Sequence, residues 1–183
     1  PLAKEAAYQA IATEKIPEKI PVTNVPKYEK KYSKQKFKLD NGIEITIFNF
    51  EQLEKYVRVL KNEERIKVHM KFNTGMNRLG FNENEILELI EKIKKYEMNS
   101  KNNKLEIISI FSHISDAENQ IETEKQVEKY ENILKIFDKN NVKYQYKHLQ
   151  ASPLLFKYGE KYNYDFARVG MALYGMEPLS YDV

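Results

Sequence analysis

The chain has 183 residues, no cysteine, and 30 Lys plus Arg against 27 Asp plus Glu, a net charge of +3. That length fits one domain, and 42% hydrophobic residues with 12% aromatics are enough to bury a core. Without cysteine there is no disulfide, zinc–thiolate site or Cys nucleophile in this chain. The near-balanced charge argues against nucleic acid, which needs a clustered basic face. No apolar run approaches the ~20 residues that cross a bilayer, and the start, PLAKEAAYQA, lacks the apolar core of a signal peptide. A cytoplasmic protein without a nucleic-acid or membrane partner is expected, with no metal site.

Residues 1–42 are expected to form an N-terminal arm. Its first 16 residues are Ala- and Glu-rich and suit a short helix, whereas Lys15–Lys38 holds Pro17, Pro21 and Pro26 and a lysine–tyrosine tract. Proline at that density rules out a continuous helix. Asp40-Asn41-Gly42 is a turn signal. From residue 43 to 183 the pattern becomes periodic. Ile43–Phe48 is β-branched and alternating, hence a strand. Asn49–Leu60 places Phe50, Leu53, Val57 and Leu60 on one helical face. Lys67–Phe72 is a second strand, in which His69 and Lys71 alternate against apolar residues, and Asn82–Glu97 a second helix. Leu105–Phe111, LEIISIF, is nearly all apolar, as a strand buried on both faces should be. A helix over Glu122–Asn140, a strand over Val142–His148 and a short fifth strand over Tyr164–Val169 complete the series.

Alternating β and α elements mean an α/β fold with a mostly parallel sheet. Units of about 30–40 residues suit a (β/α) barrel, here partial because five strands cannot close one; a doubly wound open sheet is the alternative. Four strand-to-loop junctions each carry polar groups: Lys71 with Arg78, His113 with Asp116, His148 with Ser152, and Arg168 with Gly170. In a parallel sheet all four meet at the carboxyl-terminal edge, where such folds bind ligands. Singly, each has a structural explanation. A strand-end lysine is usually at the surface, a loop arginine usually pairs, and a serine before proline is usually a turn or helix cap. Arg168, between Ala167 and Val169, is costly unless paired and is the best single candidate.

The segment HMKFNTGMNRLGF (69–81) resembles the "H-L-K-x-D-T-G-M-x-R-L-G" segment of alanine racemases. FSHISDAEN (111–119), HLQASPLLF (148–156) and FARVGMALYGMEP (166–178) are similar to three further segments of that family, in the same order. The resemblance spans roughly Ile43 to Pro178. It implies a barrel of the alanine racemase type, here about five βα units corresponding to strands four to eight. It also implies binding of pyridoxal 5'-phosphate (PLP) and interconversion of L- and D-alanine for peptidoglycan synthesis. Full-length members are homodimers.

Carried over on that resemblance, Arg168 bonds the pyridine nitrogen of the cofactor. An arginine stays protonated, so it leaves that nitrogen unprotonated and weakens the electron sink, which discourages side reactions such as transamination. His113 packs against the ring and bonds Arg168, Arg78 bonds the phenolic oxygen, and Lys71 matches a lysine that is often carboxylated and orients that arginine. Ser152 and the amides of Gly170 and Met171 hold the phosphate. Departures from the family pattern are Asn73, Ala151 and Val169. Nothing in residues 1–42 resembles the segment with the lysine that binds the cofactor covalently, and the family's opposing tyrosine base lies in a C-terminal β domain. The expectation is a fragment without either catalytic base and without turnover of its own, since racemisation needs a base on each face of Cα. The alternatives are a non-catalytic PLP-binding or interaction module, or a related PLP-barrel racemase or decarboxylase; decarboxylases of this kind usually place an acid at the pyridine nitrogen, which Arg168 disfavours.

Overall fold

The computed structural model describes residues 42–60, 64–98 and 105–179, all within one compact unit. The arm expected over residues 1–42 lies outside them but for Gly42.

Strand β1 is Ile45–Ile47, with both isoleucines buried. Helix α1, Phe50–Val59, starts where Asn49 Oδ1 accepts from the Gln52 amide at 2.8 Å, an N-cap that satisfies one otherwise unpaired donor. It buries Leu53 and Tyr56. Strand β2 is Ile66–Lys71. Helix α2, Ile86–Met98, follows a short 3-10 turn over Glu83–Glu85, where the Glu85 carboxylate accepts from the Asn82 amide at 2.7 Å. Its Ile86, Leu89, Ile90 and Ile93 are buried, the face that the helical spacing predicts. Strand β3 is Leu105–Phe111, as read from the sequence. Helix α3, Gln120–Lys139, is capped by Asn119 and buries Tyr130, Ile133, Leu134 and Phe137. Strand β4 is Tyr146–His148, and helix α4, Ser152–Tyr158, opens with Pro153 in its first turn.

Two expectations are corrected. The fourth strand does not begin at Val142. The exit from α3 uses Asn141 at φ +56°, and the Val142 amide bonds the Phe137 carbonyl at 3.1 Å, so both residues close the helix. Tyr164–Val169 is not a fifth strand but meets the sheet at a single parallel bridge, Ala151 to Arg168. The Lys147 amide, which a neighbouring strand's carbonyl would accept from, is taken by the Asp165 carboxylate at 2.6 Å. The Arg168 amide still reaches the Gln150 carbonyl at 2.9 Å, which fixes Arg168 at the end of β4.

The four strands are parallel and in sequential order, β1-β2-β3-β4. Successive order without reversal is the wall of a (β/α) barrel, whereas a doubly wound sheet reverses strand order at a switch point. The fold class is therefore α/β, a partial barrel, with four strands among the described residues where the sequence suggests five. Its core lies between the sheet and the helices, where Phe72 meets Phe81 and Phe137 at ring separations of 6.0 and 5.5 Å.

The loop after β2 folds back on the strand that leads into it. The Asn73 amide bonds the Phe81 carbonyl and the Phe81 amide the Lys71 carbonyl, each at 2.9 Å. Gly80 permits this at φ +135°, and a Cβ there would lie 2.5 Å from the Phe72 carbonyl carbon. Gly80→Ala is expected to cost about 2–3 kcal/mol through positive-φ strain and that overlap. A urea unfolding midpoint within error of the parent would show that the loop can open without loss.

Candidate functional site

The carboxyl-terminal ends of β2, β3 and β4 converge on Phe111, the last residue of β3. The Arg168 guanidinium carbon sits 5.0 Å and the Lys71 Nζ 6.0 Å from the centre of its ring. The His148 ring stacks on the same phenyl at 4.8 Å, and Phe166 covers the other face of the imidazole at 4.2 Å. Four of the residues that the sequence singles out, Lys71, His113, His148 and Arg168, thus meet in one place.

Arg168 is held on both amino groups. Nη1 donates to His148 Nδ1 and lies 3.4 Å from the His148 carbonyl. Nη2 donates to the Ser112 carbonyl at 2.6 Å and lies 3.3 Å from both His113 Nδ1 and the Leu149 carbonyl. None of these contacts uses the Nε–H. A guanidinium has donors only, so each imidazole must present a lone pair to it. Burial, then the charges of Arg168, Lys71 and Arg78, push His113 down to about 4. Burial, then Arg168 and His69, push His148 down to about 3. Both rings are neutral at neutral pH. Burial also lowers Arg168, to about 10, so it stays charged. Lys71 is buried and held below the usual lysine range by burial, then by Arg78 and Arg168. The result is a group of cations beside neutral imidazoles, which suits a ligand with anionic oxygens.

Arg78 is exposed on the loop after β2 and acts on Lys71 and His113 through its charge. Asp116 is spent elsewhere: its Oδ1 accepts from the Glu118 and Asn119 amides and shapes the turn into α3. Ser152, buried at the start of α4, accepts from the Gly170 amide at 3.0 Å and the Ala172 amide at 3.4 Å. Because its oxygen accepts both, its own hydrogen remains to donate. At Gly170 the space a side chain would fill is open, with no atom within 4 Å. Met171 is exposed, and its carbonyl accepts from the Met176 amide.

Three residues to which the sequence reading assigns no site role shape this region. Gln126 on α3 accepts from the Ser115 amide at 3.0 Å and donates to Ser115 Oγ at 2.7 Å. It also packs against Gly75, where a Cβ would lie 2.7 Å from its amide carbon. It thereby clamps together the loops that carry Arg78 and His113. The other two, His69 and Ser109, carry polar side chains on β2 and β3. Their sequence signal was faint: a histidine two positions before Lys71, and one hydroxyl in an apolar strand. Among the described residues no group of three or more His, Asp or Glu is placed to hold a metal ion. No described helix is long and apolar enough to cross a membrane.

Over residues 4–178 the chain matches the family model described as "Alanine racemase, N-terminal domain". The chain belongs to the alanine racemase family. An alanine racemase of Helicobacter pylori (strain Shi470) is 32% identical over 147 residues, covering 76% of this chain and 37% of the relative. One of Methanococcus maripaludis is 29% identical over 144 residues, with the same shares covered. The chain thus spans little more than a third of the length of these relatives. Among solved structures, the alanine racemase from Corynebacterium glutamicum aligns at a TM-score of 0.69 with 20% identity, over 81% of this chain and 40% of that one. That likeness concerns the fold. The alanine racemase of Clostridium difficile 630 aligns at 0.68 with 27% identity, over 79% and 39%.

Proposed function

We propose that the strand-end cluster holds pyridoxal 5'-phosphate and that the protein of which this chain is part interconverts L- and D-alanine. The observation that carries this reading is the tethering of Arg168. Its Nη groups are bound by two neutral histidines and the carbonyls around them, and its Nε–H is left to donate to a ring nitrogen. A guanidinium held this way meets an aromatic nitrogen as a donor that does not give up its proton. When bound, the cofactor withdraws electrons from the substrate's Cα.

The chain's own residues bind and orient. His113 would pack against the cofactor ring, and Arg78 would hold its phenolic oxygen. Lys71, favoured toward its neutral amine by burial and like charge, can add carbon dioxide and release a proton; the resulting carbamate would orient Arg78. The Ser152 hydroxyl hydrogen and the backbone of Gly170 and Met171, now joined by Ala172, surround the phosphate. On this reading the protein is a cytoplasmic, homodimeric isomerase that supplies D-alanine for peptidoglycan.

The test is a titration of the full chain with PLP, followed by cofactor absorbance, with pyridoxal and inorganic phosphate as the other arms. Saturable PLP binding weakened by inorganic phosphate is expected, with pyridoxal bound at least about tenfold more weakly because the charge-assisted phosphate contacts are lost. No saturable binding, or equal binding of pyridoxal, would overturn the assignment.

A further inference from the structure

The chain contains three histidines, and two of them touch Arg168 directly. The third, His69, is joined to Arg168 through side chains that cross the sheet. His148 Nε2 lies 3.0 Å from Ser109 Oγ, Ser109 Oγ lies 2.7 Å from His69 Nδ1, and His69 Nε2 lies 2.9 Å from Glu44 Oε2. The line runs from Arg168 at the end of β4, over β3 and β2, to Glu44 just before β1.

Its two ends fix the direction of every hydrogen. Arg168 can only donate, so His148 Nδ1 accepts and the proton of that neutral ring sits on Nε2. That N–H donates to Ser109 Oγ, which leaves the single hydroxyl hydrogen to donate to His69 Nδ1. His69 then carries its proton on Nε2 and donates it to the Glu44 carboxylate, which only accepts. An obligate donor and an obligate acceptor are thus connected through three groups that can each do both, with no hydrogen left over and none missing.

The backbone is arranged for this line. Val68 pairs with Ile107, but His69 pairs with Ser109, because β3 carries one extra residue, Ile108, at that point. In unbroken register His69 would face Ile108. The bulge moves Ser109 opposite His69, the kind of re-aiming that bulges provide. Ser109 is fully buried in a strand otherwise made of apolar residues and one glutamate, where a hydroxyl without partners would be costly.

We infer that Ser109 and His69 are positioning residues for Arg168: with His148 they form a one-directional hydrogen-bond line, anchored on Glu44, that fixes the His148 tautomer and with it the orientation of the guanidinium. The consequence for cofactor binding rests on the proposed role of Arg168. The line itself is measured without cofactor, so the two can fail separately.

The test is nitrogen NMR of the full chain labelled with 15N-histidine, which gives one ring spin system for each of three histidines. In the parent chain His148 and His69 are each expected to carry a proton on Nε2 and to accept at Nδ1, as the line of hydrogen bonds requires. In Ser109→Ala the His148 Nε2–H should exchange with solvent about tenfold faster, and His69 should lose its single tautomer. His69→Gln, altered at a partly exposed residue that tolerates the change, should shift His148 without lowering the urea midpoint appreciably. In both variants PLP should bind about fivefold more weakly. His148 protonated on Nδ1 in the parent, or His148 signals unmoved in both variants, would overturn the inference. Loss of PLP binding in the parent chain would instead count against the proposed function.

Discussion

Arg168→Gln is expected to weaken PLP binding about 100-fold while the chain stays folded. Five acceptors surround the two Nη groups: the Ser112, Leu149 and His148 carbonyls and the Nδ1 atoms of His113 and His148. A glutamine has two donors in place of five and no charge. It can satisfy one or two of these acceptors, but it cannot also present a fixed donor to a ring nitrogen. Each charge-assisted hydrogen bond removed is worth roughly 1.5–3 kcal/mol, so the loss of one to the cofactor with partial loss of orientation gives the stated factor. Removing a buried charge offsets much of the cost to the fold. Arg168→Lys separates charge from shape: it keeps a cation but loses the planar fork, and should bind PLP at an intermediate level. The measurements are PLP titrations of the three chains beside their urea midpoints. If Arg168→Gln binds PLP within a few-fold of the parent, the guanidinium does not face the ring nitrogen. If it binds weakly only because it unfolds, the midpoints show it.

Much of this arrangement is legible from the residues, and what is not has physical causes. LEIISIF reads as a doubly covered strand because nearly every position is apolar, and Leu105–Phe111 is that strand. Helices α1, α2 and α3 are legible from their buried faces, whereas the Asn119 cap sets the start of α3 two residues before the Glu122 that the apolar spacing suggests. Convergence of Lys71, His113, His148 and Arg168 follows from parallel order alone, since parallel strands deliver all their carboxyl ends to one edge. The short β4 and the missing fifth strand turn on Asn141 and Asp165, whose side chains and dihedrals intervene in backbone bonding; no periodicity reports that. Helix α4 is seven residues long, too short for a repeating face, and its Ser-Pro start is equally a turn signal. The link from His69 to Ser109 depends on a bulge at Ile108, and register is a property of two strands together. A single sequence read strand by strand does not contain it.

The same imidazoles, His148 buried and His113 half-buried, make a second large effect, in the dependence of stability on pH. Both His113 and His148 are neutral in the folded chain down to about 4 and about 3, because burial and the Arg168 charge oppose their protonation. In the unfolded chain each regains the ordinary histidine value near 6.5. Between those limits the unfolded state binds more protons than the folded one, so stability rises with pH there and falls as the solution is acidified. The contribution is fully present above about pH 6.5 and is lost progressively as pH falls through the folded values. Two such groups give a slope of at most about 2.7 kcal/mol per pH unit, and up to about 4 kcal/mol lost between pH 7 and pH 5. That is a large part of the stability of a typical domain. Carboxylates begin to protonate mainly below this range, which leaves the window from about 4.5 to 6.5 to the histidines. His148→Gln keeps a polar side chain that can accept from Arg168 and removes one titrating group, so its slope in this window should be about half that of the parent. Urea unfolding of both chains at intervals from pH 7 to pH 4.5 measures the two slopes. A parent whose stability stays flat to pH 4.5 would mean that the rings take up protons freely in the folded state. They could not then act as the lone-pair acceptors that hold Arg168 in place.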